Sequence, residues 1–436
     1  MTMTDLHGID DEATAELDEA TAELDEATAE LDEATAEFAN LPYVTELRSA
    51  EALSQRLGFP VVPNRIRVKP GRNAIVSWSR EAGSRLDGLE DWGWTAVVTS
   101  ADKLVNIRRR AARHDETITV HECSEPRSAG ATGSVLLSGS VAADSKLGKE
   151  TARAIARLNG EIDVIGYNPG RRVLLKHSPE HAGAPEFIRI GTRSQQHLVE
   201  TAKQWTDWGL PTLPVEPIGS KGTAVGSPWW GTGDLETSPD LAVAEEVGVI
   251  IAELHRHTPA EVVSGSSPSP FDQAEETATL LAQLLPEVGR SVQDIVRELR
   301  QRIGNEPLTG AAADGGARAI HGDLSPDQVL VGHSECRIID LDRAGVGPVG
   351  MDLGRWVAAC RRRTDEEGTS LEAGFLDGYR AAGGVDVDVE AWAAWAMLVT
   401  AVEPWRTCRP DWQQATMQTI NAAQQALSAN ASRVSK

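Results

Sequence analysis

Two carboxylates set at the ends of a short hairpin constrain this chain more than any other feature. They lie in HGDLSPDQVLVGHSECRIIDLDRAGVGPVGMDLGRW, residues 321–356. The apolar runs 329–331 and 337–341 read as strands, and the turn 332–336 folds one back on the other. Asp323 then sits on the loop before the first strand and Asp340 at the end of the second, with Gln328 between them in sequence. A surface hairpin with acidic ends would carry similar residues. The spacing Asp-x4-Gln-x11-Asp, preceded by His321-Gly322, argues instead for a built site. Asp342, two residues past Asp340, would point the same way on an extended strand; it reads equally as a supporting carboxylate or as solvation of the strand end.

This segment resembles the catalytic and metal-binding stretch of the aminoglycoside phosphotransferase and choline kinase family, a branch of the protein-kinase-like fold. The family pattern is roughly His-Gly-Asp, four residues, Asn, a strand, an Asp in an apolar setting, and a downstream Asp-Leu. Here those positions are His321-Gly322-Asp323, Gln328, Asp340 and Asp352-Leu353. The resemblance implies an ATP- and Mg2+-dependent transfer of phosphate to a hydroxyl. In that reading Asp323 is the catalytic base, Gln328 and Asp340 are Mg2+ ligands, and His321 and Asp352 support the loop. Gln328 replaces the usual Asn but offers the same hard amide oxygen on one more methylene, and the maltokinase-like sugar kinases are similar in carrying Gln here. Ser325 stands where many members have a second His, which bears on the acceptor more than on the chemistry.

Weaker likenesses flank the segment. Residues 247–255, ending in Leu254-His255, are similar to a family helix, and 374–379 resemble its Phe-Leu-x-Gly-Tyr helix. Upstream, 161–167 and 172–177 read as strands around the turn Asn168-Pro169-Gly170-Arg171, with Pro and Gly placed as turns require. The resemblance implies that this hairpin covers nucleotide phosphates, although no GxGxxG is present. A third strand, 186–190, and a helix, 193–208, follow in the order that supplies a Lys–Glu pair in kinases. Arg189 stands at the Lys position and Glu200 lies on the helix, so either Arg189 or Lys176 would meet the phosphates. Trp229, Trp230 and Gly231 resemble the hinge that meets adenine. The implied fold is α+β and two-lobed, with a small β-rich nucleotide lobe at 151–235 and a larger, mainly helical lobe at 236–430.

Two segments precede that core. Residues 11–38 repeat DEATAEL four times, the last copy ending in Phe38, so Leu17, Leu24, Leu31 and Phe38 recur every seven residues. Alternate seam positions are Ala, and like charges meet at i, i+4, so a solvated tail is favoured over an oligomerising coil. Residues 43–150 form an α/β extension with strands expected at 95–99, 118–121 and 134–141 and a helix at 101–113. Its cluster Arg108, Arg109, Arg110 and Arg113 reads best as a solvated helix face.

The net charge of −23 falls to −9 once the fourteen acids of residues 1–40, which contain no Lys or Arg, are set aside. That balance speaks against nucleic acid as a partner and fits a cationic acceptor without requiring one. No run approaches the roughly 18 apolar residues of a membrane span. Four widely spaced cysteines read as thiols of a reducing cytoplasm. His255 and His257 do not share a helix face and do not read as a metal pair. Trp392, Trp395 and Trp405 read as helix core. The acceptor is expected to be a small molecule such as an aminoglycoside, another natural product or a sugar. A precursor-peptide Ser or Thr, or a catalytically inactive kinase-like binding protein, are the alternatives.

Overall fold

The computed structural model describes residues 43–434 apart from 70–72, 81–87, 99–100, 113–115, 122–134, 181–182, 258–268, 305–317, 333–334 and 364. The heptads of residues 11–38, Cys123 and Arg113 thus lie outside the described residues. Two five-stranded antiparallel sheets come first in the chain. β1 (Val61–Lys69), β2 (Asn73–Arg80), β3 (Trp92–Val98), β4 (Thr119–His121) and β5 (Val135–Ser140) pair in the order β1-β2-β3-β5-β4, with the helix Ala101–Ala112 between β3 and β4. β6 (Gly160–Asn168), β7 (Arg172–Pro179), β8 (Glu186–Gly191), β9 (Glu216–Pro217) and β10 (Ala224–Pro228) pair in the order β6-β7-β8-β10-β9, with the helix Gln196–Asp207 between β8 and β9. The sequence reading missed β1, β2 and the helices Val44–Arg48 and Ala50–Leu57. In β1 a register shift between Pro63 and Arg65 breaks the two-residue period on which strand recognition depends.

Side-chain alternation explains how the sheets stack. Trp92, Trp94, Ala96 and Val98 of β3, with Leu137 of β5, share one apolar cluster with Val164, Tyr167, Val173, Leu175, Ile188 and Ile190 of the second sheet. The opposite face of the first sheet, with Val76, Trp78, Val97 and Leu136, joins a second cluster. That cluster contains Leu47 and Leu53 of the leading helices and Trp392, Trp395 and Trp405 near the C-terminus. The first sheet is therefore covered on both faces, and β3 is buried at every position. One face of the second sheet packs in that shared cluster, and Arg172 and Arg189 reach from β7 and β8 to Asp342.

Past residue 228 the chain is mainly helical, apart from β11 (Gly233–Asp234), β12 (Ala319–Ile320), β13 (Val329–Gly332), β14 (Glu335–Ile338) and β15 (Gly345–Val346). The helices Leu241–Leu254 and Glu366–Ala381 pack with their backbones almost in contact. A Cβ at Gly248 would lie 2.1 Å from the Phe375 carbonyl oxygen, and one at Gly378 would lie 2.0 Å from that of Glu245. Only glycine permits this approach. A β-rich lobe joined through 229–231 to a mainly helical one, with the first sheet as an N-terminal addition, is the two-lobed α+β fold expected from sequence. No helix among the described residues is long and apolar enough to cross a membrane.

Candidate active site

The loop that carries Asp323 is fastened from below. Asp352, fully buried near the start of the helix Gly350–Arg362, accepts hydrogen bonds from the backbone N–H of His321 (2.8 Å) and of Gly322 (2.7 Å). His255 bonds the same carboxylate at 3.1 Å through Nε2 and the Tyr379 hydroxyl at 2.9 Å through Nδ1. Burial works against the charge of Asp352. The hydrogen bond from His255 and the nearby imidazoles prevail and hold it below the usual carboxylate range. Gly322 adopts φ +79°, and a Cβ there would come within 2.3 Å of the Arg343 carbonyl oxygen. His321, itself buried, bonds the Ile339 carbonyl at 2.9 Å and so ties this loop to the strand leading to Asp340. His257 instead stacks flat on Trp208, so the two histidines of the H-x-H face different neighbours.

Asp323 lies between two arginines. Arg355 Nη1 is 2.7 Å from Oδ1, and Arg343 Nε is 3.6 Å from Oδ2. The Arg355 side chain is buried beneath the carboxylate, its guanidinium carbon 5.1 Å from the Trp395 ring centroid, and its Nε has no hydrogen-bond partner. Burial pulls the Arg355 pKa down while Asp323 props it up. Sequence reasoning missed both arginines. Arg355 could have been found, because it stands three residues after Asp352 on one helix and so shares its face.

The second carboxylate departs from expectation. The strand β14 ends at Ile338, and Leu341–Arg343 form a turn of 3-10 helix, so Asp342 is not on an extended strand. Asp340 itself has φ +57°, a left-handed backbone that side chains seldom adopt, and such strain gathers at functional sites. Asp342 Oδ2 takes ion pairs at 2.6 Å from both Arg172 and Arg189, while Arg189 Nη1 is 3.8 Å from Asp340 Oδ1. Burial and the adjacent Asp342 push Asp340 above the usual carboxylate range, against the pull of Arg172 and Arg189. Gln328 ends the short turn Pro326–Gln328, and its carbonyl accepts from the Ile339 N–H at 3.0 Å, which holds it near Asp340.

Whether these residues suit Mg2+ can be judged from their donors. Among the described residues no three His, Cys, Asp or Glu side chains form a ready ligand set. The Asp342 Oδ1 atom is nevertheless buried without a hydrogen-bond partner beside Asp340. The Gln328 NH2 group bonds Asp327 at 3.2 Å, which leaves its oxygen end for another partner. An all-oxygen set with one or two carboxylates fits a hard cation that keeps its other positions for phosphates and water.

The remaining sequence candidates occupy the second sheet and the link after it. Arg189 hydrogen-bonds Gln195 at 2.9 Å besides its aspartates. Glu200 is solvent-exposed and accepts from Gln196 at 3.2 Å, so the structure does not bring Glu200 to Arg189. Lys176 lies toward the other end of the sheet, its Nζ 4.8 Å from the Trp229 ring centroid. Trp229 is bonded to the Pro185 carbonyl at 2.8 Å, and Trp230 lies under Arg337. Gly231 has φ +83° where the chain closes on Val331. Trp229 and Asp340 thus mark opposite ends of the open face.

A β-rich lobe and a helical lobe meeting at a fastened His-Gly-Asp loop make up the two-lobed protein-kinase-like fold. Residues 226–398 match the model of the phosphotransferase enzyme family, as the resemblance of the His-Gly-Asp segment predicts. No curated protein matches the chain. Among solved structures it is similar to a choline kinase from Cryptosporidium parvum Iowa II (12% identity, TM-score 0.48), covering 63% of this chain and 90% of that one. It is also similar to a choline kinase from Streptococcus pneumoniae (14% identity, TM-score 0.46), over 65% of this chain and 99% of that one. A third is an amicoumacin kinase solved in complex with AMP-PNP, Ca2+ and Ami (12% identity, TM-score 0.46), over 63% and 92% of the two chains.

Proposed function

We propose that this protein transfers the γ-phosphoryl group of ATP to a hydroxyl of a small molecule. One observation carries the reading: the second sheet meets the segment after Asp323 through charge, Arg172 pairing with Asp342 and Arg189 with both Asp340 and Asp342. Adenine would lie toward Trp229–Gly231, and the phosphates would lie against Arg189 rather than Lys176, because Arg189 is the one beside the aspartates. Asp340, Asp342 and Gln328 would hold Mg2+, which when bound neutralises phosphate charge.

In the transfer, the acceptor oxygen forms a bond to the γ-phosphorus as the bond from that phosphorus to the bridging oxygen of ADP breaks. The hydroxyl proton passes to the Asp323 carboxylate, and ADP leaves. A carboxylate held by Arg355 has a fixed direction. That suffices, because a loose phosphoryl-transfer transition state demands positioning more than proton removal. The test is ADP release with Mg2+ and a panel of alcohols, together with a thermal shift on adding ATP. ATP-dependent stabilisation and acceptor-dependent ADP release are expected. Absence of both would leave a kinase-like binding protein and end this reading.

A further inference from the structure

The helix Gly350–Arg362 is buried from Gly350 to Cys360, and within that stretch only Asp352 and Arg355 are charged. Asp352 has three donors around it: the N–H groups of His321 and Gly322, and His255 Nε2. Arg355 is served less well. Among the described residues it has one carboxylate, Asp323 at 2.7 Å, one ring, Trp395 at 5.1 Å, and an Nε without a hydrogen-bond partner. Burying a guanidinium costs several kcal/mol in lost hydration, and such a pair is often no better for stability than apolar side chains of similar volume. The next five residues of the helix, Trp356 to Cys360, are buried and uncharged. Stability alone therefore gives little reason for an arginine here.

Geometry gives a better one. This single helix holds both parts of the Asp323 loop: Asp352 fastens its backbone, and Arg355, three residues on, holds the carboxylate that follows. Arg355 is in turn fixed from behind. A Cβ at Gly350 would run into the Trp392 indole and one at Gly354 into the Trp392 backbone, so the helix lies close against Val389–Thr400. Trp395 of that second helix is fully buried, donates to the Pro270 carbonyl at 2.8 Å, and backs the guanidinium with its ring. The two oxygens of Asp323 are thus unequal. Arg355 takes Oδ1. The nearest cation to Oδ2 is Arg343 at 3.6 Å, beyond hydrogen-bond reach, and the Asp323 side chain keeps 35% of its surface exposed.

We propose that Arg355 is a positioning residue for the transfer: it pins Oδ1 of Asp323 against the Trp395 ring, which leaves Oδ2 as the oxygen that receives the acceptor hydroxyl. The proposal rests on the reading of Asp323 as the acceptor's base, and adds which atom acts and what aims it. The hydroxyl proton goes to Oδ2 while the acceptor oxygen bonds the γ-phosphorus and the bond to ADP breaks. Oδ1 keeps its cation throughout. Without Arg355 the carboxylate is free to turn and tilt, and a displacement of about 1 Å costs on the order of 100-fold in rate.

The test uses the full chain with Mg2+ and ATP, offers water, choline, glucose and kanamycin as acceptors, and follows ADP release with the fastest of them. Arg355→Met, close in length but uncharged, should lower kcat about 10- to 100-fold while KM for ATP stays within about threefold. Arg355→Lys should recover part of that loss, since an ammonium can pair with Oδ1 but cannot lie flat on Trp395. In an Asp323→Asn background Arg355→Met should cost less than about threefold more, because a residue that acts through Asp323 has nothing left to aim. Three results would overturn the proposal: an unchanged kcat in Arg355→Met, a loss carried by KM for ATP, or losses that multiply in the double variant. A crystal structure of Arg355→Met reads the same point without turnover. Asp323 should lose its single orientation there, and an unmoved carboxylate would also sink the idea. If Arg355→Met does not fold, Arg355→Lys carries the same cycle, and a kcat equal to that of the unsubstituted protein counts against it. Full turnover in Asp323→Asn would remove the reading of Asp323 as base, and this proposal with it. A silent Asp323→Asn beside a fully active Arg355→Met would remove the role of Arg355 alone.

Discussion

The two sheets have the same connectivity and opposite employment. Each is a five-stranded antiparallel sheet with the third strand followed by a helix and the last two strands exchanged in order. In the second sheet, buried Val173, Leu175, Ile188 and Ile190 alternate with Arg172, Lys176 and Arg189, so one face packs and the other carries charge. In the first sheet, β3 runs Trp-Gly-Trp-Thr-Ala-Val-Val with every position buried, and its polar members turn inward: Thr95 Oγ1 accepts from Trp78 Nε1 at 3.0 Å. Strand order therefore does not set what a sheet does. The second sheet keeps a face furnished with cations, opposite a loop that brings acids. The first sheet gives up both faces to cover its twin and to join it to the C-terminal helices.

Substitutions can test that division, and the largest effect should fall on the catalytic loop. Asp323→Asn should lower kcat by about 10²- to 10⁴-fold while the melting temperature barely moves, because Asp352, not Asp323, fastens the loop. A melting temperature that collapses would mean that the Arg355–Asp323 pair is structural. Trp94→Ala in the first sheet should do the opposite. Trp94 lies in the apolar layer between the sheets, and its loss should cost about 3–5 kcal/mol of stability, read as a fall in denaturation midpoint. ATP affinity measured below the transition should stay within a few-fold of the unsubstituted protein.

Next in size is Arg189→Ala. It removes the cation nearest Asp340 and one of two on Asp342, so ATP affinity should fall about 10- to 100-fold by calorimetry. Lys176→Ala, acting on the Trp229 end, should change it far less. Equal losses would mean that the phosphates do not lie at the aspartate end of the open face.

How far the sequence carried these assignments depended on the range of the interactions. The hairpin, the second sheet's first three strands and their helix are local patterns, and they were legible to within a few residues. Arg189 was singled out for its position on a strand, and the structure places it beside Asp340 and Asp342. Glu200 was singled out on the same grounds, yet Gln195 takes the Arg189 Nε and Glu200 turns to solvent. The left-handed Asp340 was hidden because nothing in Ile-Ile-Asp-Leu-Asp announces that a strand will stop at Ile338. Arg172 and Asp342 stand 170 residues apart, and pattern within a window cannot sense charges that meet only after folding.

The finest test asks whether the first sheet is only a support. Arg67 of β1 donates to the Pro169 carbonyl at 3.0 Å, and Asp144, just past β5, accepts from the Gly170 N–H at 2.7 Å and the Tyr167 hydroxyl at 2.8 Å. Both contacts hold the β6–β7 turn, which stands over the expected position of the phosphates. Arg67→Ala removes one neutral-acceptor hydrogen bond and relieves repulsion with Arg171, so the stability change should be small, about 1 kcal/mol or less. If the turn needs that tether to meet the phosphates, KM for ATP should rise about two- to fivefold with kcat held. If stability and KM are both unchanged, the division between a supporting sheet and a working sheet is complete. A rise in KM without a stability loss would instead show the first sheet reaching across its twin to set the geometry of the nucleotide turn.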